Sequence, residues 1–322
     1  MMKTIQKLFL LLTTVFSLSA CSSGGDDSPN NNPPDNGNNY KPAIVTNDNK
    51  NTTGPIEAQT RLEFPKLRGG NSETIIHSTA TYGMTYALEW DHQKRATRWV
   101  CWRMDETNRQ EKYSRSTLYP NGDPWAYDPL VPEYEQQATY NELSKSYYPG
   151  TGSYYQKGHI CASQDRIYDP EANKQTFFMT NIMPQVGRFN EKLWQKLESE
   201  VRKWGNSNQK NGVNPTDTLY ICKGGTIDNT PEIDPILGYT IGNHIVPRYF
   251  FMALLKKTYA GYEAIGFWMI HADEDRSNIE VKNYAIKIDR LEELTGIDFF
   301  CNLPDDIETE VESKLTLSYW FK

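Results

Sequence analysis

Apolar and polar positions alternate along Arg98-Trp99-Val100-Cys101-Trp102-Arg103, a run of β-formers that predicts a strand. The same pattern predicts strands over Thr218–Cys222 and Tyr249–Leu255, and over Tyr262–Ile270, a long apolar run bounded by turn residues. The period changes between Asn190 and Lys203. There Leu193, Trp194, Leu197 and Val201 recur at three- and four-residue spacing, which predicts a helix with one buried face. A second helix is predicted near Leu291–Thr295, where Gly296 ends it, and a third over Ile307–Lys314. Strands outnumber helices and their order is mixed. The expected fold is α+β, a mainly antiparallel sheet with flanking helices.

The N-terminal part follows different rules. Lys3 and Lys7 precede a short apolar run, Leu8–Phe16, and then Leu18-Ser19-Ala20-Cys21. A charged start, an apolar stretch too short to span a bilayer and small residues at its end read as an export signal over residues 1–20. The cysteine after Leu-Ser-Ala resembles a bacterial lipobox, which implies acylation of Cys21 and membrane attachment through a lipid anchor only. Ser22-Ser23-Gly24-Gly25-Asp26-Asp27 resembles acidic tethers of surface lipoproteins. The expected location is the outer membrane or cell surface, with the periplasmic face as the alternative. Residues 21–58 are rich in Asn, Pro, Asp and Gly and poor in apolar groups, so they read as a flexible tether. Residues 59–322 carry globular composition without a second break and read as one domain.

Charge and cysteines refine this picture. The chain carries −7; the signal supplies +2 and residues 22–59 supply −3, which leaves −6 on the domain. A strongly basic nucleic-acid footprint is therefore absent overall. The segment Lys157–Lys203 runs the other way, with eight Lys/Arg against six Asp/Glu. Export implies an oxidising compartment, so Cys101, Cys161, Cys222 and Cys301 are expected to form one or two disulfides, with the pairing open. No Cys-x-x-Cys spacing supports a zinc site.

Three short motifs carry the chemistry. They are Gln156-Lys157-Gly158-His159, Asn181-Ile182-Met183-Pro184-Gln185, and Asn190 followed eight residues later by Glu198. In this order and spacing they resemble the non-specific DNA/RNA endonuclease family of the ββα-metal (His-Me finger) type. That family's motifs are Asp-Arg-Gly-His, Asn-x-x-Pro-Gln and a metal-binding asparagine with a downstream glutamate. Weaker likeness runs from about Leu62 through Arg98-Trp99-Val100 to Phe299–Pro304, nearly the whole domain. The resemblance implies His159 as base, Asn190 as magnesium ligand, Asn181 and Glu198 as further site residues, and cleavage that leaves 5′-phosphate ends; on its residues alone, Asn181 stays open between fixing the site and fixing its loop. It also implies an arginine upstream of the histidine. Arg115 precedes Trp125-Ala126-Tyr127-Asp128-Pro129 much as the family's arginine precedes a similar Asp-Pro, although the spacing differs.

The residue types fit that chemistry on their own terms. Phosphodiester hydrolysis needs a deprotonated water, charge neutralisation at phosphorus and help for the departing oxygen. A neutral imidazole, ordinary pKa ~6.5, takes the water's proton. The Asn190 carbonyl is a hard ligand suited to magnesium, with manganese as a substitute, and the ion acts as a Lewis acid on the leaving 3′ oxygen. Gly158 would let backbone approach a phosphate, and Lys157 would contact it. On an ideal helix, residues eight apart lie about 12 Å along the axis, so Glu198 fits a role through a water better than direct ligation.

Gln156 and Lys157 depart from the family's Asp and Arg. Lysine keeps the charge but loses the bidentate fork, and losing the aspartate is expected to loosen the loop. Arg98 and Arg103 rival Arg115 but sit in a predicted strand and read as packing residues. Lys192, Lys196, Arg202 and Lys203 read as the solvated helix face, and His77, His92, His244 and His271 as structural. Cys161 reads as a disulfide brace rather than a nucleophile. The expected activity is a magnesium-dependent, sugar-non-specific endonuclease acting on DNA and RNA. The alternative is a non-catalytic surface lipoprotein that binds nucleic acid or another polymer.

Overall fold

The computed structural model describes residues 46–52, 57–206 and 216–321. The predicted signal, Cys21 and most of the predicted tether lie outside the described residues. The end of that tether is corrected. Residues 46–52 are tied to the domain: Asn51 Nδ2 donates to Pro65 O (2.9 Å) and Asn49 Nδ2 to Glu308 Oε1 (2.8 Å). A stretch of asparagines cannot form a core, but its amides pair with polar groups that the domain would otherwise leave unmatched.

Three antiparallel strands come first: β1 (Ser72–Thr79), β2 (Gly83–Asp91) and β3 (Ala96–Met104). The short helices α1 (Arg115–Leu118) and α2 (Glu133–Gln137) follow. Next are β4 (Tyr155–His159), α3 (Pro170–Gln175), β5 (Ile182–Val186) and α4 (Gln195–Gly205). Then come β6 (Thr218–Gly225), β7 (Ile236–Tyr239), β8 (Ile245–Pro247), β9 (Tyr249–Thr258), β10 (Gly261–Ile270) and β11 (Ala285–Ile286). The helices α5 (Ile288–Thr295) and α6 (Asp305–Glu312) come last.

The main sheet has the order β1-β2-β3-β6-β9-β10-β11, and every pairing in it is antiparallel. This is the predicted α+β fold. Alternation divides the inner strands between two cores. Leu88, Val100, Trp102, Ile221 and Leu254 face the layer that includes Leu193, Leu197 and Val201. Ala87, Trp99, Cys101, Tyr220 and Ala253 face the opposite layer, with Ile288, Leu291 and Val311. Because helices cover both faces, β3 and β9 are buried almost along their whole length.

Helix predictions hold with shifted ends. Gly296 takes the left-handed conformation (φ 66°) that closes α5, a position costly for any residue with a Cβ. The helix predicted from Asn190 begins as a wider π turn over Phe189–Trp194 and becomes α-helical at Gln195. The disulfides are corrected. Cys101, Cys161, Cys222 and Cys301 are all buried free thiols, even though Cys101 and Cys222 stand opposite each other on β3 and β6.

Candidate active site

The antiparallel pair β4–β5 and the start of the α4 segment frame a surface cleft of about 450 Å³. His159, Lys157 and Gln156 enter it from β4, Asn190 and Glu191 from the π turn, and Glu198 and Arg202 from α4. Arg115 and Trp125 close the far side. Of the residues singled out in the sequence, the fold therefore brings His159, Lys157, Asn190, Glu198 and Arg115 together.

His159 ends β4 with its ring against Trp125 (5.1 Å between centroids) and edge-on to Phe177 (5.0 Å). Its Nε2 is buried and has no hydrogen-bond partner, whereas Nδ1 engages no protein group among the described residues. Burial pushes the imidazole pKa down to about 3, and the positive charges of Arg115 and Lys223 push the same way, against Asp123. Burial and the two cations penalise the imidazolium, and Asp123 offsets them only in part. The ring is therefore a neutral base over the whole physiological range.

Among the described residues the Asn190 side chain is held by one hydrogen bond. Its Nδ2 donates to Gln156 Oε1 (2.7 Å), and Gln156 Nε2 donates to Glu191 Oε1 (2.6 Å). An amide has one donor end and one acceptor end, so fixing the nitrogen fixes the oxygen's direction. Among the described residues no donor binds Asn190 Oδ1. A hard oxygen left free in a polar cleft fits a hard divalent cation. The residue that replaces the family's aspartate thus braces Asn190, and the expected loosening of the loop is corrected.

Glu198 is buried and accepts from Lys223 Nζ (2.8 Å), a lysine on β6 that is 1% exposed. The ammonium also stands over the rings of Trp194 (4.8 Å) and Trp102 (5.2 Å). Burial raises the Glu198 pKa and Lys223 lowers it. Lys223 was not anticipated, because a lone lysine in an apolar strand carries no periodic signal. Arg202 also lines the cleft and bonds Asp165 (3.1 Å), in place of the solvated role expected for it.

Arg115, at the start of α1, presents Nε and Nη2 to the Asp123 carboxylate at 2.7 and 2.5 Å, and its guanidinium lies 4.9 Å from the Phe177 ring. Lys157 stands over Trp125 (5.3 Å) and Tyr140 (5.2 Å), and burial lowers its pKa. Both rivals of Arg115 lie elsewhere. Arg98 is buried against Glu89, Asp91 and Asp228, and Arg103 pairs with Asp105.

The Gly158 assignment changes, and Asn181 takes the loop-fixing one of its two expected roles. Asn181 does not reach the cleft. It is wholly buried, accepts from Cys161 N (2.8 Å), and donates to Cys161 O (2.9 Å) and Thr176 O (2.7 Å). It pins the backbone just beyond His159 and is a positioning residue. Gly158 is buried, and a Cβ there would lie 2.3 Å from the Gln185 side chain, so the glycine serves close packing of β4 on β5 rather than phosphate approach. The other histidines are structural, as expected. His77 bonds Asp128 (2.8 Å), His92 bonds Glu135, His244 is buried, and His271 sits between Pro247 O and Val186 N.

A neutral imidazole and an unengaged carboxamide oxygen in one polar cleft suit a metal-assisted hydrolase, and comparison with known proteins specifies which kind. The family model for the DNA/RNA non-specific endonucleases matches residues 70–306, and the chain belongs to that family of metal-dependent endonucleases. A nuclease of Nostoc sp. is 29% identical over 242 residues, covering 71% of this chain and 76% of its own length. The mitochondrial endonuclease G of Homo sapiens is 27% identical over 225 residues, covering 68% of each chain. In the crystal structure of the EndoG/EndoGI complex, a chain 17% identical matches 79% of this chain and 94% of its own length with a TM-score of 0.58, which shows the shared fold.

Proposed function

We propose that the protein hydrolyses internal phosphodiester bonds of both DNA and RNA, with magnesium as its metal and manganese as a substitute. The observation that carries this reading is the pairing of a neutral His159 with a free Asn190 Oδ1 in one cleft. His159 Nδ1 takes the proton of the attacking water. Asn190 supplies the protein ligand, and Gln156 aims it. Bound there, the ion supplies Lewis acidity for the departing 3′ oxygen. Glu198, anchored by Lys223, orients water beside that position. Arg115 keeps Nη1 free of Asp123 and turns it to a phosphate oxygen, and Lys157 adds a second cation held on aromatic rings. The products end in 5′-phosphate.

We extend the proposal to location. The Leu18-Ser19-Ala20-Cys21 sequence supports acylation at Cys21 and display at the outer membrane or cell surface on a tether. Labelling with a radioactive fatty acid, lost in Cys21→Ala, tests this.

The activity test is digestion of plasmid and of RNA by the purified chain. Full activity in magnesium, its abolition by chelator, and a loss of at least about 100-fold in His159→Ala are expected. Unchanged rates in either condition sink the mechanism. Binding without turnover in both magnesium and manganese would favour a non-catalytic polymer-binding lipoprotein instead.

A further inference from the structure

On the face of the sheet opposite the cleft, α5 and α6 bring three carboxylates together. Oxygens of Asp289, Glu292 and Glu312 all lie within 4.8 Å of one another. Asp289 is exposed, Glu292 half-buried and Glu312 buried. We propose that these three residues form a calcium site that ties α6 to α5, separate from the catalytic cleft and independent of how the nuclease works.

Proximity alone would not make a site, but Glu312 adds a second observation. It is 6% exposed, and its Oε1 is buried with no hydrogen-bond partner. It is also the last residue of α6, where the helix dipole presents negative charge and a carboxylate is least welcome. An orphaned acceptor in that place calls for a cation.

The protein supplies none. Among the described residues no lysine, arginine or histidine forms an ion pair with Asp289, Glu292 or Glu312. Arg290, on the same helix, is turned to Glu293 (2.6 Å) and Glu232 (3.2 Å). Nearby Asp298 and Glu308 deepen the negative potential. The Asn49 amide donates to both of them, and among the described residues Glu292 alone of the trio has a donor, the Phe299 N–H at 2.7 Å. Burial disfavours the charged forms of Glu312 and Glu292, against the Phe299 amide at Glu292, so gathering three charges here is costly unless a cation arrives.

Size selects the ion. Calcium–oxygen bonds of about 2.3–2.6 Å place ligands on opposite sides of the ion roughly 4.6–5.2 Å apart, whereas magnesium, at about 2.1 Å, spans only about 4.2 Å. Oxygens that lie within 4.8 Å of one another fall inside calcium's span, and calcium's looser shell tolerates the irregular arrangement of three carboxylates on two helices. Water at the exposed Asp289 side completes the coordination. Three carboxylates around one doubly charged ion would leave a net −1.

Thermal unfolding of the purified full chain tests the proposal, first in chelator and then with calcium added in steps. A rise in Tm of about 5 °C is expected when calcium reaches about 100 times its Kd. Asn190→Ala, which removes the catalytic ligand, is expected to keep the rise. Glu312→Gln, which removes the charge and keeps the shape, is expected to abolish it. Asp289→Asn, at an exposed position, is expected to weaken the shift without harming folding. No calcium shift in the wild type overturns the site. So does a full shift in Glu312→Gln, or a shift that disappears in Asn190→Ala.

Discussion

Asn190 Nδ2 donates to Gln156 Oε1 over 2.7 Å, and this single hydrogen bond decides which end of the Asn190 amide faces the cleft. The contact depends on the residue at which this chain leaves its family's motif. An acceptor at position 156 is enough to aim the asparagine. Because Gln156 is also a donor, it bonds Glu191 at 2.6 Å where an aspartate would repel it.

Removing that acceptor frees the amide to rotate. Gln156→Leu is expected to raise the magnesium concentration for half-maximal rate about 10–100-fold, the usual cost of losing a group that orients a metal ligand. KM for nucleic acid at saturating metal should change little. Gln156→Glu restores the acceptor and should recover part of the metal affinity. Magnesium titrations of the three proteins check this; equal half-saturation in all of them would remove Gln156 from the site.

His159 should leave its mark on the pH profile. Its pKa is depressed from 6.5 to about 3, so the acid limb of kcat/KM is expected far below the ordinary histidine range. Arg115 is among the causes, so Arg115→Gln should move the limb to higher pH; Asp123 opposes it, so Asp123→Asn should move it lower. Stability runs in parallel. His159, His244 and His271 all stay neutral when folded, so the stability they contribute is full above about 6.5 and is lost as pH falls toward about 4 and 3. Rate profiles and denaturation at stepped pH separate the two effects.

Legibility in the sequence followed periodicity. The buried stripe of α4 and the runs in β3, β9 and β10 could be read because their partners are apolar. β2 could not, because Glu89 and Asp91 lie inside it to hold the buried Arg98, and a strand built around an ion cluster looks polar. The motif residues of the site were visible in order and spacing, but their supports were not. Lys223 reaches Glu198 from 25 residues away, and nothing local announces it. Asn181 was left open between two tasks and Gly158 was given the wrong one, since which face a residue takes is settled by pairing across β4 and β5. Compartment logic for the cysteines carried no geometry, and the thiols are free.

Lys223 and Glu198 form a buried pair, so removing one partner strands the other. Lys223→Met is expected to cost about 3–5 kcal/mol in denaturant unfolding, because an uncompensated carboxylate stays in the core. The double variant Lys223→Met with Glu198→Gln should regain most of that stability yet remain slow on DNA. If the single variant is as stable as the wild type, Glu198 is not held by this lysine.

Gly158 gives the sharpest test of how the packing places His159. A Cβ at this position would lie 2.3 Å from Gln185 Cδ and Oε1, in an environment with both residues buried. Gln185 makes no hydrogen bond with either end of its amide, so its side chain is confined by shape and not by polar partners. Gly158→Ala is therefore expected to separate β4 from β5, cost about 1–3 kcal/mol as an overpacked core does, and shift His159 one residue away. A displacement near 1 Å is enough to lower turnover about 100-fold. Cutting Gln185 back to alanine should make room. Gly158→Ala combined with Gln185→Ala is expected to recover much of both Tm and kcat, while Gln185→Ala alone stays close to the wild type in rate. If the double variant is no better than Gly158→Ala, the glycine serves something other than this contact, and its proximity to phosphate returns as the explanation.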